Sequence, residues 1–197
     1  MISYDNLIKK HYILQLKRID PFKATSPFHP FEGFGLECGE GWYDLLDELC
    51  TKIEEELDRT NDSKNEYPFQ IDQIKEKFGG LRFYVSGGTD KTYDLINEYE
   101  EKSYTICEIC GSNGKEYDVR GWITTLCEKC VLPQLMKWKL DVISSIEKCE
   151  KEIKNLVVKD ILTNSEQKEL NEATEWLEIG KSNLEKINKQ LNNEVAE

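Results

Sequence analysis

Four cysteines between positions 107 and 130 constrain the fold more than any other feature of the chain. They form two Cys-x2-Cys pairs, Cys107/Cys110 and Cys127/Cys130, separated by sixteen residues. Each pair directs two thiolates at one ion, and the segment between the pairs brings the second across to complete a tetrahedron. We therefore expect one structural Zn2+ bound by these four cysteines, with no coordination position left for water or substrate.

The full set of cysteines also indicates a cellular compartment. There are seven, and an odd number cannot all pair within one chain. Metal-type spacing is typical of a reducing environment. The sequence contains no apolar run long enough for a membrane span, and its N-terminus does not have the pattern of a secretory signal. These features predict a cytoplasmic protein without a membrane partner.

Apolar periodicity and turn residues predict an α+β body over residues 1–105. Its expected elements are a helix within 4–18, an amphipathic helix from Gly41 to near Asp58, a β-hairpin over 69–86 with a bulge before its glycines, and a helix capped by Thr89 that ends near Ser103. Between the first two helices lies a Pro- and Phe-rich loop, residues 21–34. It is interpreted either as an ordered loop across the core or as a lid over a ligand.

The rest of the chain is predicted to form two further parts. Residues 106–131 are expected to form a zinc-ribbon-like lobe around the cysteines. Residues 132–197 contain apolar positions that alternate in steps of three and four, which is typical of a coiled-coil seam. This pattern predicts an antiparallel hairpin of helices at roughly 131–162 and 165–193, with a capping box from Thr163 to Glu166 restarting the helix.

The charge distribution limits the classes of partner. The formal net charge is −12, and residues 31–66 alone carry twelve acidic and three basic groups. Because affinity for a long nucleic acid comes largely from neutralised phosphates, an extended nucleic-acid partner is disfavoured. Nucleic-acid binding by the zinc ribbon remains an alternative, and a small anionic ligand needs only a few donors.

A candidate site for a phosphorylated small molecule lies on the hairpin. Cations there alternate with aromatic residues, and the turn before Thr89 presents free amides at a helix N-terminus. Strand alternation places Lys75 and Lys77 on one face and Phe78 on the other. The candidate ligand-binding residues, including two from the aromatic loop, are Lys75, Lys77, Arg82, Tyr84, Ser86, Gly87, Gly88, Thr89, Phe28 and Phe31.

Signals for catalysis are weak. Cys38 and His29 could form a nucleophile and base, but a small buried thiol and a loop histidine are the preferred interpretation of these residues. A second metal site formed by His29, Cys38 and Cys50 is an alternative. The chain contains no P-loop, HExxH or GxSxG motif, so we do not expect an enzyme.

Several stretches together resemble a family of small proteins of phage and prophage genomes with no settled biochemical function. They are GLECGEGWYDLLDELC (35–50), IDQIKEKFGGLRFY (71–84), CEICG (107–111) and GWITTLCEKC (121–130). The resemblance covers roughly residues 31–131, so the helical hairpin looks like an addition. It implies an accessory protein that acts inside a bacterial host cell.

These observations together predict a non-enzymatic binding protein. The first hypothesis is that it binds a host protein, such as one involved in defence, using its acidic exterior and helical hairpin. The same helices could instead mediate homodimerisation. The alternative hypothesis is that the protein sequesters a phosphorylated small molecule such as a nucleotide messenger.

Overall fold

The computed structural model describes residues 1–15, 30–61, 68–159 and 161–195, which form two compact units, Met1–Cys130 and Val131–Glu197. The first unit contains α1 (Tyr4–Lys10), α2 (Pro30–Phe34), β1 (Leu36–Glu37), α3 (Tyr43–Thr60), β2 (Gln70–Lys77), β3 (Gly80–Ser86), α4 (Asp90–Ser103), β4 (Lys115–Val119) and β5 (Trp122–Leu126). Helix α5 (Glu128–Val157) begins at the end of this unit, and α6 (Asn164–Val195) lies in the second. The predicted α+β class is confirmed.

The main sheet has the strand order β1-β2-β3. Strands β2 and β3 form the predicted antiparallel hairpin, in which Ile74 pairs with Phe83, and the register shifts between Ile71 and Gln73. This shift confirms the predicted irregularity before the glycines. The two-residue strand β1 pairs in parallel with β2, and it was not predicted because two residues are too few to show a periodicity.

Helices α3 and α4 cover the sheet and complete the core of the first unit. The apolar stripe of α3 is buried as predicted, and Leu46, Leu49 and Ile53 have no exposed surface. Helix α4 begins at the predicted cap, where the Thr89 hydroxyl accepts from the Thr92 amide in a reciprocal capping box. The sheet contributes further fully or almost fully buried side chains, which are Ile71, Ile74, Leu81 and Phe83.

The N-terminal helix is shorter than predicted, because α1 ends at Lys10 and a 3-10 turn follows at Tyr12–Leu14. His11 breaks the helix with extended backbone angles. Its side chain is buried, and its two ring nitrogens each lie 2.8 Å from a carboxylate oxygen, one of Asp47 and one of Glu54. These two contacts stabilise the extended backbone at His11, where the helix ends. Residues 16–18 of the prediction lie outside the described residues.

In the second unit, α5 and α6 form the predicted helical hairpin. Helix α5 ends at Val157, five residues before the predicted end, while α6 starts within one residue of the prediction. The early end has a local cause, because the Thr163–Glu166 capping box and an ion pair from Lys159 to Glu166 hold the connection. Gly180 marks close packing, since a Cβ there would lie 2.9 Å from Ile146 Cγ1. Among the described residues, no helix combines the length and the hydropathy that a membrane span requires.

Candidate metal centre

The four predicted ligands meet at one point of the first unit. The Sγ atoms of Cys107, Cys110, Cys127 and Cys130 all lie within 4.8 Å of one another, and those of Cys110 and Cys127 are 3.5 Å apart. A tetrahedral site with metal–sulfur bonds of about 2.3 Å places its sulfurs about 3.8 Å apart. The cysteines therefore fit a four-thiolate metal ion, and no other described group of His, Cys, Asp and Glu side chains has this arrangement.

Local backbone geometry shapes both cysteine turns. The Gly111 amide donates to the Cys107 carbonyl at 2.8 Å, and the Cys130 amide donates to the Cys127 carbonyl at 3.0 Å. Gly111 has a φ of 74°, a conformation that a residue with a side chain rarely adopts. The hairpin β4–β5 joins the two turns, as the pattern between the pairs predicted.

The thiols differ in acidity because their surroundings differ. Hydrogen bonds with Ser112 lower the pKa of the Cys110 thiol to about 6. Burial, together with the neighbouring cysteines, raises the pKa of the Cys130 thiol, and burial also raises that of Cys127. A bound cation offsets this cost, because metal ligation stabilises the thiolate form.

The glycine-rich motif before α3 packs directly on the first cysteine turn. The Gly41 amide donates to the Glu108 carbonyl at 2.8 Å, and the Gly39 amide donates to the Glu108 carboxylate at the same distance. The indole of Trp42 has no exposed surface and donates to the Ile106 carbonyl at 2.8 Å. Residues 39–42 therefore attach the metal lobe to the helical body.

The hairpin β2–β3 is attached to the metal lobe through Thr125 of β5. The Thr125 hydroxyl is buried and donates to the Gly79 carbonyl at 2.6 Å, while the Thr125 carbonyl accepts from the Glu108 amide at 2.9 Å. A Cβ on Gly79 would lie 3.2 Å from Ile123 Cγ2. The turn of the β2–β3 hairpin is thus hydrogen-bonded to strand β5 of the β4–β5 hairpin.

The predicted ligand-binding residues do not form one cluster. Lys75 and Lys77 lie on β2, with their ammonium nitrogens 5.5 Å and 5.4 Å from the ring centroids of Tyr84 and Phe78. The prediction that Phe78 lies on the opposite strand face is wrong, because Phe78 sits in the turn after β2 with a φ of 54°. Arg82 instead donates to the Tyr104 hydroxyl at 2.7 Å and to the Leu81 carbonyl at 2.6 Å.

The other members of that set have structural roles of their own. The Thr89 hydroxyl caps α4 and donates to the Glu56 carboxylate at 3.1 Å, so a negative charge already lies at this helix N-terminus. The Ser86 hydroxyl donates to Asp72. Gly87 and Gly88 have positive φ angles, and Phe31 is 1% exposed in the core. Phe28 and most of the 21–34 loop lie outside the described residues.

Cys38 and Cys50, the other cysteines of the first unit, are not members of the four-cysteine group. Burial, and to a lesser extent the Glu108 carboxylate, raises the pKa of the Cys38 thiol to about 12, the opposite of the lowered pKa that activates a nucleophile. Cys50 is fully buried on α3, and burial raises its pKa as well. His29 lies outside the described residues, so the proposed grouping of His29 with Cys38 and Cys50 stays a prediction.

Sequence reasoning did not identify several residues that shape this region. His11 lies between two lysines and the apolar run Tyr12–Leu14, and its two carboxylate partners are 36 and 43 residues away. Trp122 begins strand β5 of the ribbon, and its side chain is 67% exposed. The one available signal was the repeated turn pattern, a residue followed by glycine between two strands, in both hairpins.

Comparisons of the chain with protein families, with curated proteins and with solved structures find no match.

Proposed function

We propose that this chain is a non-enzymatic binding protein, stabilised by one structural Zn2+, whose helical hairpin docks on a protein partner. Zinc follows from the donor set, because four thiolates at tetrahedral spacing are typical of structural zinc sites. Four protein ligands leave no open position, so the ion stabilises the fold and does not activate water. The resemblance to phage proteins favours a partner in the bacterial host cell.

The observation that carries the docking proposal is the exposure of large apolar side chains on both helices of the hairpin. Met136 and Leu140, one turn apart on α5, are 59% and 68% exposed. On α6, Trp176 is 64% exposed and Ile179 is 43% exposed. Exposed tryptophan is typical of the few residues that dominate binding energy in protein interfaces.

The charge around Trp176 indicates the kind of partner. Residues 166–178 of α6 carry five glutamates and one lysine. An apolar side chain within an acidic helix complements an apolar pocket with a basic rim, and such complementarity steers association and excludes wrong partners. The occupant is therefore expected to be a protein with a basic surface.

The proposal is tested with the double variant Trp176→Ala/Ile179→Ala. The unmodified chain and the double variant are each used to capture partners from bacterial lysate. Each captured protein is then purified, and its affinity for the two forms of the chain is measured by direct titration. We expect at least one basic protein whose affinity falls about tenfold or more in the variant, the loss typical of a binding hot spot. Trp122→Ala, an equally exposed tryptophan in the first unit, is the matched control and should leave that affinity unchanged.

Two results would contradict docking on a partner protein. One is that the double variant binds every captured protein as tightly as the unmodified chain. The other is that native mass spectrometry shows a dimer that dissociates in the double variant, which would identify a second copy of the chain as the occupant.

A further inference from the structure

A groove lies between the two hairpins of the first unit, on a surface different from the helical hairpin. Its volume is about 460 Å3, and it is bordered by Lys75, Glu76, Lys77, Phe78, Gly121, Trp122 and Ile123. This volume falls within the range of roughly 300–1,000 Å3 that is typical of small-molecule sites. The Thr125 hydrogen bond to Gly79 fixes one wall against the other, so the groove exists before any ligand binds.

The groove presents two large aromatic side chains to solvent. Phe78 is 68% exposed and Trp122 is 67% exposed, the largest values among the aromatic side chains described in the first unit. Phe78 is the first residue of the two-residue turn Phe78-Gly79, and Trp122 directly follows the turn Arg120-Gly121. In both turns, both residues have positive φ. Aromatic faces held open in this way are suited to stacking against a planar ring.

Phe78 is an unusual residue for its position. The first residue of such a turn is ordinarily Asn, Asp or Gly, because a bulky side chain at positive φ is strained. The neighbouring Lys77 contacts the Phe78 ring with its ammonium group, yet most of the ring remains in water. Its exposed, strained placement gives the fold little packing, which points to a role in binding.

Two ammonium groups lie on the same side of the groove. Within the described part of the chain, neither Lys75 nor Lys77 forms an ion pair with a carboxylate. Glu76, the acidic residue between them, accepts from the Gly79 amide at 2.7 Å and so belongs to the turn. Glu37, which pairs with Lys75 in the sheet, accepts from Gln73 at 2.6 Å. Each ammonium group lies over an aromatic ring, of Tyr84 or of Phe78, and charge-assisted hydrogen bonds to an anion are stronger than such contacts when exposed.

We infer that this groove binds a free nucleoside monophosphate, with the base stacked on Trp122 or Phe78 and the phosphate bound by Lys75 and Lys77. The two chemical requirements of that ligand, a planar ring and a compact anion, match the two kinds of side chain present. The volume accommodates one nucleotide unit. The net charge of −12 opposes a polynucleotide, whose binding would require a longer basic surface.

The test follows the indole N–H signal of Trp122 by NMR in protein labelled with 15N-tryptophan, with Trp122→Phe to assign it. Adenosine and guanosine 5′-monophosphates are the probes. Adenosine and inorganic phosphate are titrated separately as controls, since they are the two chemical parts of adenosine monophosphate. At least one monophosphate should shift the Trp122 signal saturably and leave that of Trp176 unmoved. Adenosine should bind more weakly than its monophosphate.

Lysine variants separate the charge contribution from the stacking contribution. Lys75→Gln/Lys77→Gln should weaken monophosphate binding about tenfold, the effect of losing one or two charge-assisted hydrogen bonds, without weakening adenosine binding. Lys148→Gln/Lys151→Gln, two exposed lysines of α5, is the matched control. Trp122→Ala, which removes one of the two exposed aromatic rings of the groove, should weaken binding of both ligands.

Three results would overturn the inference. The first is no Trp122 shift with either monophosphate at millimolar concentration. The second is an equal loss of affinity in the control lysine variant, which would indicate a non-specific charge effect. The third is binding of a hexadeoxythymidine oligonucleotide without binding of either monophosphate, which would identify a single-stranded nucleic acid as the occupant. The double variant that tests docking, Trp176→Ala/Ile179→Ala, changes no residue of this groove. The groove proposal and the docking proposal can therefore fail separately.

Discussion

A Cβ atom placed on Gly41 would lie 2.2 Å from the carbonyl oxygen of Cys107, a distance that no real contact permits. The backbone before α3 therefore touches the backbone of the first metal ligand, and only glycine allows this approach. Gly39 makes a similar contact, since its Cβ would lie 2.3 Å from the Glu108 carbonyl oxygen. The GEGW stretch and the first cysteine turn are consequently one structural unit, although they are more than sixty residues apart in the chain.

The first prediction concerns this contact. Gly41→Ala should lower the free energy of unfolding by at least about 2 kcal/mol, because the added methyl group can be accommodated only by moving backbone. It should also speed the release of metal to a chelator. Urea unfolding and a colorimetric metal-release assay measure the two effects.

Gly180→Ala is the contrasting variant. The nearest atoms to its new Cβ belong to a side chain, Ile146, and alanine is favoured over glycine within a helix by about 1 kcal/mol. Its unfolding free energy should change much less than that of Gly41→Ala. An equal loss in both variants would show that the Gly41 contact has no special importance.

The second prediction concerns Arg82, which the sequence analysis gives as a candidate ligand-binding residue. Because Arg82 donates to Tyr104 and to Leu81, we now expect Arg82→Ala to destabilise the protein. A double-mutant cycle with Tyr104→Phe should give a coupling energy of about 1 kcal/mol. Strictly additive losses would contradict a direct Arg82–Tyr104 interaction.

The third prediction concerns the strained turn residue. Phe78→Asn should raise the free energy of unfolding by about 1 kcal/mol, because asparagine tolerates positive φ better than phenylalanine. The same substitution should weaken nucleotide binding in the groove. Trp122→Asn, which removes an equally exposed ring where φ is not positive, should give no gain in stability. A loss of stability in Phe78→Asn would show that the ring packs usefully in the fold.

The fourth prediction concerns pH. Burial opposes ionisation of Asp47, but hydrogen bonds from Lys10 and His11 outweigh it and lower the pKa of this carboxyl. A carboxyl whose pKa is lowered by folding stabilises the protein above its unfolded pKa of about 3.9, and this contribution disappears as the pH falls through the folded pKa. Asp47→Asn should therefore cost about 2 kcal/mol at neutral pH.

The difference between Asp47→Asn and the unmodified protein should shrink once the pH falls below about 3.9, as measured by urea unfolding across an acid series. Asp94→Asn, an exposed carboxylate on α4, is the control and should show only a small effect at any pH. A difference that stays constant down to the acid limit would indicate that the Asp47 charge is not involved.

The sequence predicted those parts of the molecule that local patterns specify. Cysteine spacing predicted the four thiols that the structure brings together as a candidate metal site, and a threonine at the right offset identified the cap of α4. Contacts between distant segments were not predictable, because nothing in a local pattern states which glycine will meet which carbonyl group. Gly41 with Cys107 and His11 with Glu54 belong to this class. Arg82 shows the same limit, because its neighbours along the strand suggested a ligand, whereas its guanidinium donates to Leu81 and to Tyr104, which follows α4.

The proposed metal ion is central to the first unit, because the lobe around the four cysteines contacts both the GEGW stretch and the β2–β3 hairpin. Native mass spectrometry of the purified chain, followed by the same measurement after chelation and a circular dichroism spectrum in the aromatic region, tests it most directly. We predict one zinc ion per chain, and loss of the aromatic signal when zinc is removed. A metal-free chain with the same aromatic spectrum and reduced cysteines would contradict the account.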